Sequence, residues 1–422
     1  MSSQAFIVGG NRTPFTKIGG RYAQASNHDL LTSAIDGLAA RYGLSGTRIG
    51  EVAAGAVLKH PRDFNLTREA VLSSSLSPET PACDLQQACA TSLETTMYIA
   101  NKIALGQLEC GIAGGVDSAS DAPISVSEPL RKALLAATHA RSTPARLKAL
   151  ARIRPSHLKP LSPGVNEPRT GLSMGEHQAQ TTAGWAIARE DQDQLTADSH
   201  HHLAQAWDDE FFDDLVTPYL GVVKDGILRP DTSVDKLAAL KPVFGGPKGT
   251  MTAGNSTSLT DGAACVLLAS EQYATNHGLP MLARIVDAEI AAVDHPAGAD
   301  LLLGPVAAAG RLLARQQLTL DDFDLFEIHE AFASTVLATL AAWESEEYCT
   351  SIGLSHAIGS IDRNKLNVHG SSLATGHPFA ATGARIVASL AKMLHNRGPG
   401  SRGLISVCAA GGQGVVAIVE AV

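Results

Sequence analysis

No stretch of this 422-residue chain approaches the ~18 to 20 uninterrupted apolar residues of a membrane helix. Its six cysteines, Cys83, Cys89, Cys110, Cys265, Cys349 and Cys408, form no CxxC pair and no framework spacing. Neither a structural zinc nor a disulfide scaffold is therefore expected, and no metal site. Charged residues make up only 18% against 45% hydrophobic, which excludes a disordered or fibrous chain. A net charge of -9 argues against nucleic-acid binding as the main role. Ala5-Phe6-Ile7-Val8 follows the start with no basic leader, and the Val-Glu-Ala-Val end is not a peroxisomal address, so the expected compartment is the cytoplasm. One more absence is local. From Pro129 to Asn166 there is no Asp or Glu, while Arg131, Lys132, Arg141, Arg146, Lys148, Arg152, Arg154 and Lys159 accumulate among leucines at roughly helical spacing. This basic insert reads as a solvated helical face, as a dock for the phosphates of a nucleotide-like cofactor, or as a contact for a membrane or an acidic partner.

What is present is an alternation of short β-branched runs ending in glycine with Ala/Leu-rich helical stretches, the pattern of an α/β fold with a buried, largely parallel sheet. The length predicts two or three packed domains. Two stretches resemble each other. Cys83 to Thr91 leads into a helix (Ser92 to Leu105) and a strand reaching Gly114-Gly115; Ser371 to Pro378 leads into a helix (Gly383 to Asn396) and a strand reaching Gly411-Gly412. An internal duplication follows from that parallel.

Four motifs carry chemistry. Cys89, in Ala-Cys-Ala-Thr-Ser92, stands at a helix start, where the helix dipole and free N–H groups favour a thiolate nucleophile. His377, fixed between Gly376 and Pro378, can take a proton from a thiol. Cys408 lies at a strand end beside glycines that let N–H groups face a ligand, the equipment of an oxyanion hole. His329 and Glu330, in His-Glu-Ala-Phe332, suit a hydrogen bond to a developing oxyanion and the support of its neighbours. The run His200-His201-His202 is discounted as a metal site, because adjacent helical residues do not face one another. Gly245 to Gly249 lacks the Gly-Lys-Ser/Thr ending of a phosphate loop.

In this combination the chain resembles the thiolase family over nearly its whole length. The resemblance rests on Asn11-Arg-Thr-Pro-Phe15, the Cys89 loop, Gly114-Gly-Val-Asp-Ser118, Thr252 to Ala263, His329-Glu-Ala-Phe332, Gly376-His-Pro378 and the terminal Cys408-Ala-Ala-Gly-Gly412. It implies a thiolase fold, a duplicated five-layered αβαβα architecture. The N-terminal half would be 1–121, completed by 249–275, with a coenzyme A-binding loop domain at 122–248 and a C-terminal half at 276–422. The resemblance further implies a homodimer or homotetramer and no resident cofactor, with coenzyme A as co-substrate.

Carried over, Cys89 becomes the acylated nucleophile, His377 its base and Cys408 the acid/base. His377 and a water held by His329 would form one oxyanion hole, and the N–H groups of Cys89 and Ala410 the other. Met174, Phe244, Thr257, Ala331 and Phe332 match positions lining the pantetheine or acyl pocket. Histidine at 329, where many thiolases carry Asn, looks like the thiolase subunit of fatty-acid β-oxidation trifunctional complexes. That resemblance implies degradation of longer ketoacyl chains, with a hydratase/dehydrogenase partner subunit and a peripheral membrane contact among the options. The usual Met-Gly-x-x-Ala-Glu reads Met174-Gly-Glu-His-Gln-Ala179 here, and Ser173 stands where His is frequent. Rival readings are a biosynthetic enzyme making acetoacetyl-CoA, a decarboxylating ketoacyl synthase, against which Cys408 speaks, and a non-catalytic acyl-CoA binding subunit.

Overall fold

The computed structural model describes residues 4–422. The first half runs β1 (Ala5–Arg12), α1 (Asn27–Arg41), β2 (Glu51–Ala54), α2 (Leu66–Ser73), β3 (Ala82–Asp84), α3 (Thr91–Ala104) and β4 (Cys110–Ser118). The segment 119–259 follows, with α4 (Glu128–Thr138), α5 (Thr143–Leu150), α6 (Met174–Gly184) and α7 (Arg189–Asp208); β5 (Thr260–Ser270) then returns to the first half's sheet. The second half contains β6 (Ala283–Ala292), α8 (Gly304–Gln316), β7 (Leu325–Ile328), α9 (Ala333–Glu344), α10 (Thr382–Arg397), β8 (Arg402–Ala409) and β9 (Gln413–Ala421).

Hydrogen bonding orders the strands β7-β8-β9-β6-β1-β5-β4-β2-β3, and the halves meet where Phe6 and Ile7 of β1 pair with Arg284 and Ala283 of β6. Each half repeats one topology. In the first, β1 pairs antiparallel with β5, β5 antiparallel with β4, β4 parallel with β2, and β2 parallel with β3. In the second, β6, β9, β8 and β7 repeat those relations, and a single parallel pair of Phe326 with Leu366 stands where β3 would be. The duplication read from the loop-helix-strand parallel is thus a property of the whole sheet, but the largely parallel sheet expected from sequence is mostly antiparallel, with parallel strand pairs only at β4-β2-β3 and β8-β7.

Five layers result because the strands are apolar on both faces. On β5, Ala264, Val266 and Leu268 face the central helices α3 and α10, while Ala263, Cys265, Leu267 and Ala269 face the outer layer of α1 and α2. On β9, Val415, Ala417 and Val419 face the centre, and Val416 and Ile418 face α8 and α9. The outer helices are amphipathic. Along α1, Leu30, Leu31, Ala34, Ile35 and Leu38 recur at helical spacing on its buried side, and a Ser26–Asp29 capping box starts the helix. The central helices approach closely: a Cβ at Gly383 would overlap the backbone nitrogen of Leu93, and Ser92 Oγ accepts the N–H of Ala384 at 2.7 Å.

The basic insert forms a pair of helices. Ser127 and Ser142 cap α4 and α5, each with proline in its first turn. Of the leucines that interleave with its charges, Leu130 is buried, whereas Leu134, Leu135, Leu147 and Leu158 are exposed. Among the described residues no helix is long and apolar enough to cross a membrane.

Candidate active site

Cys89 follows a tight turn in which Ala88, a non-glycine residue, holds φ at +46°. Thr91 locks this turn, its Oγ accepting the Gln87 N–H at 2.9 Å and donating to the Ala88 carbonyl at 2.7 Å. The small residues of Ala-Cys-Ala-Thr-Ser allow the turn, and the hydroxyl ties it to the start of α3. Such local strain is sustained where surrounding structure over-determines it, typically at functional sites. His377 sits after Gly376, whose φ of +107° favours glycine, and its Nδ1 lies 2.6 Å from Thr382 Oγ in the first turn of α10. The loops that precede the two central helices thus deliver the thiol and the imidazole to one place.

Cys408 arrives at the end of β8, and His329 at the end of β7. The ring centroids of His329 and His377 are 4.2 Å apart. Cys89 Sγ and one nitrogen of each ring lie within 4.8 Å of one another. A cavity of about 340 Å³ opens over them. Cys89, His377, Cys408, Ala410, Met174, Phe244, Thr257, Ala331 and Phe332 all line it, so nine of the eleven site residues singled out from sequence share one chamber. The other two, His329 and Glu330, are fully buried beneath. Glu330 is a tie: its carboxylate accepts from Ser199 Oγ, Asn367 Nδ2 and the Leu373 N–H at 2.8, 2.8 and 3.0 Å. His200, His201 and His202 bond three separate partners, the Arg229 N–H and the carbonyls of Thr232 and Asn367.

Burial dominates the electrostatics. It pushes the Cys89 thiol up to about 12, helped by the Asp117 charge and opposed by N–H groups of Ala410 and of Cys89 itself that bond the sulfur. Burial also raises Cys408, and the nearby Cys89 adds to it. It carries His377 down to about 3, with Arg385 acting the same way, and His329 well below its ordinary value. Burial thus opposes the thiolate expected from a helix-start cysteine. Desolvation acts against charge on both thiols and both imidazoles.

Several participants escaped the sequence reading. Ser372 Oγ bonds His329 Nδ1 at 2.8 Å, and Arg385 Nη2 lies 3.1 Å from that oxygen. Arg385 is the only charge between Phe379 and Ala391, and a lone cation in a buried helix was the available signal. Asp117 receives the N–H groups of Leu58, Val57 and Ala380 at 2.7, 3.2 and 2.9 Å, tying the first half to the His377 loop. Glu167, just after the basic insert, accepts the Gly411 N–H at 2.6 Å, beside Ala410.

A duplicated fold with two thiols and two imidazoles gathered beneath one apolar chamber defines a class, and this chain belongs to the thiolase family. The family's model "Thiolase, N-terminal domain" matches residues 5–272 and "Thiolase, C-terminal domain" matches residues 279–421. The chain is 40% identical over 421 residues to a 3-ketoacyl-CoA thiolase of Yersinia pestis (strain Pestoides F), covering 98% of this chain and 96% of that protein. Among solved structures it is similar to the Bacillus anthracis acetyl-CoA acetyltransferase, with a TM-score of 0.83, 29% identity and coverage of 100% and 99% of the two chains. Similarity to human mitochondrial 3-ketoacyl-CoA thiolase gives a TM-score of 0.81 at 27% identity, covering 100% and 99%. The structure of that human enzyme in complex with CoA matches with the same score and identity, covering 100% and 98%.

Proposed function

We propose that this chain is a 3-ketoacyl-CoA thiolase, an acetyl-CoA C-acyltransferase that cleaves 3-ketoacyl-CoA with coenzyme A in fatty-acid β-oxidation. One observation carries the reading: Cys89, His377 and Cys408 come from distant parts of the chain to one chamber. Substrate binding brings the 3-keto carbon to Cys89. The thiol proton passes to His377, and the sulfur attacks that carbon. Its oxygen takes up negative charge opposite His377 and a water held by His329. The bond between the second and third carbons breaks, and the Cys408 thiol protonates the enolate of acetyl-CoA, becoming a thiolate. Coenzyme A then gives its thiol proton to that thiolate and attacks the acyl-enzyme, whose oxyanion meets the N–H groups of Cys89 and Ala410. Cys89 leaves with the proton held on His377, and an acyl-CoA two carbons shorter departs. Two half-reactions through a covalent intermediate give ping-pong kinetics.

The apolar lining, with Met174, Phe244, Leu302, Phe332 and Phe379, suits an acyl chain beyond acetoacetyl. Similarity to an acetyl-CoA acetyltransferase favours the alternative of acetoacetyl-CoA synthesis, and steady-state rates across chain lengths separate the two. Incubation with ketoacyl-CoA followed by mass spectrometry tests the core of the proposal. An acyl adduct on Cys89 is expected; its absence with retained binding would mean a non-catalytic acyl-CoA binding subunit, and turnover surviving in Cys89→Ala would refute the nucleophile.

The same proposal extends to assembly and place. Among the described residues the outer edge of β3 is unpaired at the end of the sheet, which supports a homodimer, and pairs of dimers would give the homotetramer. Free thiols at all six cysteines fit the reducing cytoplasm. Exposed Leu134, Leu135, Leu147 and Leu158 beside the cations of the insert support a hydratase/dehydrogenase partner subunit or an anionic membrane surface as its contact. Salt-sensitive binding to anionic vesicles would select the membrane.

A further inference from the structure

The two ring nitrogens of His329 have different surroundings, and that difference determines what the ring offers to the site. Nδ1 lies 2.8 Å from Ser372 Oγ, whereas Nε2 is buried with no partner among the described residues. Nη2 of Arg385 reaches Ser372 Oγ at 3.1 Å and Ser371 Oγ at 3.0 Å. A guanidinium only donates. Ser372 Oγ therefore accepts from Arg385, and its own hydrogen has Nδ1 of His329 as an acceptor. A hydrogen on Nδ1 would give Ser372 two donors and leave its hydroxyl hydrogen buried without a partner, an arrangement folded proteins avoid.

We infer that Arg385, acting through Ser372, fixes His329 in the tautomer with its hydrogen on Nε2, so that the ring meets the site as a donor. This rests on the proposed thiolase reading for its catalytic meaning, because a donor is what an oxyanion or its water requires. Arg385 and Ser372 do not line the chamber, so they are positioning residues. The guanidinium is itself buried, which lowers its pKa, and the nearby Glu327 and Glu330 oppose that shift. Its charge also opposes protonation of His329 and His377, adding to burial and keeping the donor neutral.

The same hydrogen has a second effect. A thiol and two imidazoles within 4.8 Å make a donor set that suits zinc. With the hydrogen on Nε2, the ring's one lone pair is on Nδ1, where Ser372 occupies it, so His329 has none to give a metal. The Ser372–Arg385 chain thus makes the cluster a poor metal site without altering any of its members.

Histidine-selective ¹⁵N labelling of the full-length protein tests this, with His329 assigned by the signals lost in His329→Ala. The wild type should show a protonated Nε2 and an unprotonated Nδ1. In Ser372→Ala the tautomers should mix and kcat should fall about tenfold with little change in KM for coenzyme A. Zinc should then inhibit at about tenfold lower concentration, the equivalent of one ordinary hydrogen bond. Ser372→Thr, which keeps the hydroxyl, should restore all three readings. A hydrogen on Nδ1 in the wild type, or an unchanged spectrum in Ser372→Ala, would overturn the inference. Undiminished turnover in His329→Ala would instead overturn the oxyanion role, while the wild-type spectrum still decides the tautomer.

Discussion

The two halves of this molecule share one strand order and yet divide the work unequally. The penultimate paired position at the site end of β4 is Asp117, opposite Gly262 of β5; the corresponding position on β8 is Cys408, opposite Gly414 of β9. In the first half that position holds loops together through three backbone N–H groups. In the second it supplies a thiol to the chamber. The loops before the central helices, by contrast, both supply a reacting group, one carrying Cys89 and the other His377. Duplication thus brings two equivalent loop clusters face to face, and at the strand-end pair chemistry uses only Cys408. Its counterpart is free to become scaffolding.

That division can be broken experimentally, beginning with its largest expected consequence. Cys408→Ala should lower turnover by about 10² to 10⁴, as loss of a general acid/base does, with a melting temperature close to wild type. Equal losses of stability and turnover would mean that Cys408 is packing, like its counterpart. Alkylation of Cys89 by iodoacetamide should accelerate by roughly a hundredfold from pH 7 to 9 without a plateau. The thiolate fraction rises about tenfold per pH unit below a thiol held up near 12. A plateau below pH 8 would show that a thiolate–imidazolium pair already exists in the free enzyme.

Asp117→Asn turns one of two accepting oxygens into a donor facing an N–H group. It should cost about 1–3 kcal/mol in chemical denaturation, with a smaller loss of turnover transmitted through Ala380. A turnover loss as deep as that of Cys408→Ala would erase the contrast between the halves. The mildest effect should come from Glu167→Ala, which frees the Gly411 N–H beside the oxyanion loop. A drop in kcat of about fivefold, the worth of one hydrogen bond, would sharpen the picture of the inserted segment as a brace for the second half.

The parts of the site that were legible in sequence are those whose function is packed into a few consecutive residues. Cys89 between alanines, His377 between glycine and proline, and Cys408 before glycines each declare a tight turn carrying a reactive group. The pocket residues Met174, Phe244, Thr257, Ala331 and Phe332 came only through the family resemblance, yet they line the same chamber. Ser372, Arg385, Thr382 and Asp117 stayed hidden because their roles are relations between elements. Ser372 becomes meaningful only beside His329, 43 positions away.

Sequence alone determined which reactive groups the protein possesses, the turns that present them and the repeated loop-helix-strand unit, because all of these follow from short-range stereochemistry and apolar periodicity. Only the tertiary structure decided how strongly charge on those groups is disfavoured. Burial raises the thiols and lowers the imidazoles. Such desolvation is a property of the closed chamber, which no stretch of chain forms on its own.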